Sequence, residues 1–153
     1  MSIIRHILMW LPAALFMGVV GTLIQTEFVL QSLSDIGASM SASDRWRMRM
    51  DDLKGLGPAY AGLCLIGFVL AFETADRASR RLRLPRFLVF ASAGAICLTV
   101  MFLMSSEVFF GSPIIAGTRS GLGFASQIVL AAIAGLISAY LTSGPANNSM
   151  VVN

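Results

Sequence analysis

Six side chains of this 153-residue sequence could do chemistry together: Gln25, Glu27, Tyr60, Glu107, Arg119 and Gln127. Two carboxylates can exchange a proton. Arg119 offers the planar fork that matches a carboxylate, and the amides and phenol supply hydrogen bonds. Two arrangements are open. In one, Arg119 pairs with Glu107 or Glu27 and staples the outer ends of helices. In the other, Gln25, Glu27, Glu107, Arg119 and Gln127 line a small polar cavity open to the outer face. No spacing among them is diagnostic of a reaction. An enzyme acting on lipid or quinone with Glu107 or Glu27 as acid or base would need a second positioned group, and only Arg119 offers itself. The expectation is therefore a protein that is not an enzyme.

Other chemistry is poorly provided for. His6 is the only histidine, so a bis-histidine haem or a histidine-built metal centre cannot form within one chain. The stretch "GTRSGLG" (residues 117–123) opens an apolar run rather than a phosphate loop. Cys64 and Cys97 lie inside apolar runs without a C-x-x-C pattern and read as small packing residues. No cofactor and no metal are expected.

The elements that must position the six residues follow from composition. The chain is 56% hydrophobic and 12% charged, against roughly 45–50% and about 25% for soluble domains. That much apolar side chain calls for lipid as part of the solvent. Ile7–Thr26, Gly55–Phe72 and Phe87–Ser106 carry no charge, and none follows Arg119. About 20 residues cross a hydrocarbon core of roughly 30 Å, so the reading is an all-α polytopic membrane protein. It forms a single four-helix transmembrane bundle with spans over about 7–30, 56–75, 87–107 and 120–142, followed by a mobile tail over 143–153. The first run is too long for a signal-peptide core and lacks an A-x-A site, so it is read as a retained helix.

Two connectors carry most of the charge. "DRASRRLRLPR" (76–86) holds five arginines and by the positive-inside rule lies in the cytoplasm, which puts both termini there, in a bacterial inner membrane. Six basic side chains then face inward and five outward (Arg45, Arg47, Arg49, Lys54 and Arg119), a margin thin enough to leave dual topology open. The basic balance reads as headgroup contact, not nucleic-acid binding. In "SDRWRMRMDDLKGLG" (43–57), Trp46, Met50 and Leu53 share one helical face, which predicts a short amphipathic helix over about 44–54 lying along the interface. Ser43 or Asp44 would cap it and Gly55 would end it. Pro58 then falls in the first turn of the second span, where proline is tolerated, and Pro12 kinks the first.

Small residues recur at four-residue spacing: Ala14 and Gly18; Gly67 and Ala71; Ala131, Gly135 and Ala139. In lipid, helices associate where small side chains let backbones approach. So many small faces can pack one bundle and still meet a neighbour. The functional expectation is a non-catalytic subunit or self-assembling packing component of a membrane complex, its partners being the bilayer and another membrane protein or itself. The alternative is a small oligomeric transporter or channel with a polar site at the outer end of the bundle.

Overall fold

The computed structural model of the chain describes residues 3–108 and 121–143, and these are helical apart from two short turns. Helix α1 (Ile3–Phe16) runs through a π-helical turn (Met17–Gly21) into α2 (Thr22–Asp35). The junction residues Phe16, Gly21 and Thr22 keep right-handed helical dihedrals, so these pieces form one rod of about 50 Å. Helix α3 (Ala42–Leu82) returns, α4 (Arg86–Val108) follows a turn over 83–85, and α5 (Gly121–Thr142) completes the set. Among the described residues there is no strand, and four rods are long and apolar enough to cross a membrane. Arg119, the Glu107 side chain and the tail after Ser143 lie outside the described residues.

The chain turns where its local chemistry says it must. Gly37 has a φ of +84°, the left-handed conformation that glycine adopts without a Cβ penalty. The Gly37 and Ala38 amides close the end of α2 by donating to the Ser34 and Leu33 carbonyls at 3.0 and 3.1 Å. Ser41, one residue ahead of α3, accepts a hydrogen bond from the Asp44 amide at 3.2 Å and caps the helix.

Three expectations need correction here. Residues 44–54 are not a separate interfacial helix: α3 is unbroken through Gly55 for 41 residues, and this segment is its opening. Gly55 has open space around it and a glycine costs a helix interior only about 1 kcal/mol, which the apolar run beyond it readily offsets. Pro58 accordingly sits deep inside α3 rather than in a first turn. It leaves the Lys54 carbonyl without its helical donor, a tolerable loss because Lys54 and Gly55 are exposed. The arginine-rich connector is also mostly helix, since α3 continues to Leu82 and only Arg83–Pro85 turn. Arg83 takes the left-handed cap position with φ +53°.

The rods run antiparallel, with an aromatic cluster toward the end that carries the α3–α4 turn. Trp10 meets Phe72 edge-on at 5.4 Å, and Phe72 stacks on Phe68 and Phe90 at 4.7 and 5.6 Å. Small residues share the rest of the interior with Met17, Leu30 and Leu98: Ala13, Ala14, Ala131, Ala134, Ser138 and Ala139 are all but inaccessible. Leu70, Leu88, Ile96 and Val129 face outward, each more than half exposed. Large apolar side chains on the outer face, with small residues where helices meet, are what lipid around the helices would favour.

Three backbone approaches depend on glycine. A Cβ on Gly18 would lie 2.6 Å from the Ala61 methyl. One on Gly94 would collide with the Ala131 carbonyl, and one on Gly135 with the Phe90 carbonyl. Gly67 is looser, facing the sulfurs of Cys97 and Met101. Ala71 is half-buried and Ala131 and Ala139 are fully buried.

Candidate polar site

The antiparallel register brings three of the six candidate residues inside the bundle. Gln127 of α5 is 1% exposed in a helix otherwise made of apolar and small residues, so its amide has only protein to bond. Its Nε2 donates to the Gly21 carbonyl at 2.8 Å, and its Oε1 accepts from the Tyr60 hydroxyl at 3.0 Å. One side chain thus ties α5 both to the π-helical turn and to α3. Gly21 makes this possible, because a Cβ there would lie 2.9 Å from the Tyr60 ring and 3.1 Å from Gln127 Oε1. Gln25 is buried nearby in sequence, on the first turn of α2, and its Oε1 has no hydrogen-bond partner.

Glu27 is elsewhere. It is about half exposed and forms an ion pair with Arg49, so the cation it meets comes from α3. Arg119 and the Glu107 side chain, the two remaining candidates, are outside the described residues.

Two groups that sequence reasoning passed over join this region. Thr26 Oγ1 lies 2.9 Å from both the Thr22 carbonyl and Asp52 Oδ2, with one proton to give to either. Thr22 is fully buried with its hydroxyl unpartnered. The polar groups therefore form a ladder up the α2–α3 seam. It runs from Gln127 and Tyr60 through Thr26 and Asp52 to Glu27 and Arg49. Only the long helical start of α3 makes this ladder, and a sequence reading that broke the helix at Gly55 could not have found it.

The interfacial trio separates on the same helix. Trp46 is well exposed, while Met50 and Leu53 are half-buried. Leu53 borders a surface depression with Leu15, Gly18 and Gly57.

A second polar knot lies at the opposite end. Asp76 meets Arg86 at 2.5 Å and Arg80 at 3.0 Å. Arg86 donates to Thr142 Oγ1 at 2.8 Å and places its guanidinium carbon 4.8 Å from the centre of the Phe90 ring. One arginine, about a fifth exposed, joins α3, α4 and α5. Residues 76 and 86 flank a tight turn, a signal visible in the sequence, but Thr142 and Phe90 are brought in only by the packing.

The chemistry these arrangements support is binding of helix to helix. A pocket of about 120 Å³ beside Tyr60 is lined by Leu56, Leu63, Met101 and Phe102, and the Tyr60 hydroxyl is committed to Gln127. Among the described residues no three His, Cys, Asp or Glu side chains lie together as metal ligands would. Cys64 and Cys97 are free thiols packed between helices.

Three substitutions test these contacts. Gln127→Leu strands the Tyr60 hydroxyl and takes the side-chain donor from the Gly21 carbonyl, and an orphaned buried group costs about 1–3 kcal/mol in proteins, with membrane hydrogen bonds averaging about 0.6. A loss of about 1–2 kcal/mol is expected, read as a lower midpoint in a thermal or denaturant titration of detergent-solubilised protein. Tyr60→Phe, which strands one acceptor only, should lose less than half as much. By contrast, Glu27→Gln should change the midpoint by less than ~0.5 kcal/mol, because an exposed ion pair contributes little.

Comparison with protein-family models, with curated proteins and with solved structures finds no match to this chain.

Proposed function

We propose that this is an integral membrane protein serving as a non-catalytic subunit, or self-assembling packing component, of a membrane complex, and that it engages its partner through the projecting α2–α3 hairpin. The observation that carries this reading is an asymmetry. The bundle interior is filled, and Gln127, Tyr60 and Arg86 are bonded to neighbouring helices. Residues 42–55 of α3, in contrast, extend about 21 Å of helix beyond the apolar span. They are held against α2 by Thr26–Asp52 and Glu27–Arg49. Ile36 at the hairpin tip is 78% exposed and Trp46 is 59% exposed. Exposed aromatic and aliphatic groups on a rigid support are the kind of anchor that protein interfaces use.

The test is mass in solution. After gentle extraction the wild-type chain should run as a dimer or a larger assembly, and Ile36→Ser with Trp46→Ala should release the single chain with its helicity intact. A wild-type chain that is monomeric and brings down no partner ends this reading.

One observation favours the alternative of a small oligomeric transporter. π-helical turns often accompany functional sites, and this one is followed by the buried, unpartnered Thr22 Oγ1 and Gln25 Oε1. If a transport pathway exists, Gln25→Leu, Glu107→Gln or Arg119→Gln should abolish solute flux in proteoliposomes while the protein still folds. Unchanged flux in all three removes the alternative.

A further inference from the structure

A groove of about 610 Å³ opens along the outside of the α3–α4 pair. Its walls are Leu70, Ala71, Thr74 and Ala78 on α3, and Ala93 and Ile96 on α4. It exists because Ala71, Ala78 and Ala93 are too small to fill the space that the Phe72 and Phe90 rings hold open below. Its two prominent hydroxyls are turned back to their own helices. Thr74 Oγ1 donates to the Leu70 and Ala71 carbonyls at 3.0 and 2.8 Å, and Ser92 Oγ to the Val89 carbonyl at 3.0 Å. What remains facing the groove is hydrocarbon and the sulfurs of Cys97 and Met101.

The groove has an inner end and a charged mouth. Its innermost residue on α3 is Gly67, which faces the Cys97 and Met101 sulfurs. From there to Ala78 the helix rises about 16 Å, close to one leaflet of a roughly 30 Å hydrocarbon core. A transmembrane helix would need a groove running the full span, whereas an acyl chain needs half of it. Beyond Ala78 the same helical row reaches Arg81 one turn later. Arg81 and Arg83 are exposed and make no ion pair with any described residue. The nearby acids are already engaged, Glu73 by Arg77 and Asp76 by Arg80 and Arg86. Uncompensated positive charge therefore sits at the mouth of a one-leaflet apolar slot.

We propose that the α3–α4 groove binds one acyl chain of an anionic phospholipid whose phosphate is held by Arg81, with Arg83 beside it. The shape selects a chain one leaflet long, and the charge selects the headgroup. This does not depend on the partner assigned to the hairpin.

Native mass spectrometry of the full chain, incubated with phosphatidylglycerol or phosphatidylcholine of identical acyl chains, tests it. Phosphatidylglycerol should be retained in preference. Arg81→Gln should lower that retention about fivefold, the factor expected for one basic side chain near an anionic surface. Ala78→Phe, which plugs the groove, should abolish retention of both lipids. If that variant fails to fold, Ala93→Leu on the opposite wall provides the same readout. Inorganic phosphate should not displace the lipid. Equal retention of the two lipids, no effect of Arg81→Gln, displacement by phosphate or lipid still held by the plugged groove would each overturn the proposal. So would efficient disulfide formation between copies carrying Ala78→Cys in native membranes, since a second copy's helix would then occupy the slot.

Discussion

Gly135→Val should be the most damaging single substitution in the described part of this protein, lowering stability by about 3 kcal/mol. A Cβ at Gly135 overlaps the Phe90 carbonyl, with the carbonyl carbon 2.7 Å and the Ala91 Cα 3.0 Å away. Both obstacles are backbone, so no side chain can swing aside and the two helices must separate. Overpacking costs typically 1–3 kcal/mol and more when backbone must move. The helix-propensity gain on replacing glycine returns only a few tenths to half a kcal/mol. Nor does burial compensate, because in lipid the valine gains little by leaving one apolar phase for another. The reciprocal contact of Gly94 with the Ala131 carbonyl means that separation there also loosens the neighbouring turn. Retention of the monodisperse peak after heating in detergent would measure this, with a midpoint lowered by roughly 6–12 °C for a chain of this size. Gly67→Ala is the control. Its Cβ meets only the movable ends of Cys97 and Met101, so its midpoint should change by less than a third as much. Equal effects at the two positions would refute the claim that the α4–α5 seam is where backbones touch.

Removing Asp76 should have the next largest effect, about 2 kcal/mol for Asp76→Ala. Breaking a buried pair by deleting one partner costs about 3–5 kcal/mol, because the surviving charge stays behind. Here the survivor is Arg86, about four-fifths covered and held between Thr142 and the Phe90 ring. Residual exposure of both partners brings the expected loss to the lower figure. Arg80 loses its partner too, but it is well exposed and water can solvate it. Arg86→Lys should lose about 1 kcal/mol, keeping the charge while giving up the planar fork and its stacking on Phe90. Salt separates this pair from the Glu27–Arg49 pair. Raising ionic strength to ~1 M screens an exposed pair within about 3 Å but leaves a covered one largely intact. The Asp76→Ala deficit should therefore persist in high salt. If it vanishes there, the knot at the α3–α4 turn is only a surface contact.

The overall class of this protein can be read from its hydrophobic runs, because a chain 56% apolar and 12% charged leaves four uncharged stretches that only a helix can carry with its backbone satisfied. Helix ends were less legible. Sequence reading places caps at Ser43 or Asp44 and a stop at Gly55. The actual cap is Ser41 and no stop exists, because a lone exposed glycine and a proline cost less than the continuing apolar run supplies. Partner choice was the least legible. Glu27 could meet any of several cations, and only the paired rise of α2 and α3 beyond the apolar spans places Arg49 against it.

Residue types along the chain, then, determine by themselves that four apolar rods form and where charge must stay at their ends, since both follow from local burial and from rise per residue. The tertiary structure alone decides which small faces meet. Ala131 and Gly135 interlock with α4 while Gly67 and Ala71 border a slot, although both pairs satisfy the same four-residue spacing. Spacing marks where backbones are able to approach. Whether they do depends on the rings of Phe72 and Phe90 and the amide of Gln127, which set how far apart the helices stand.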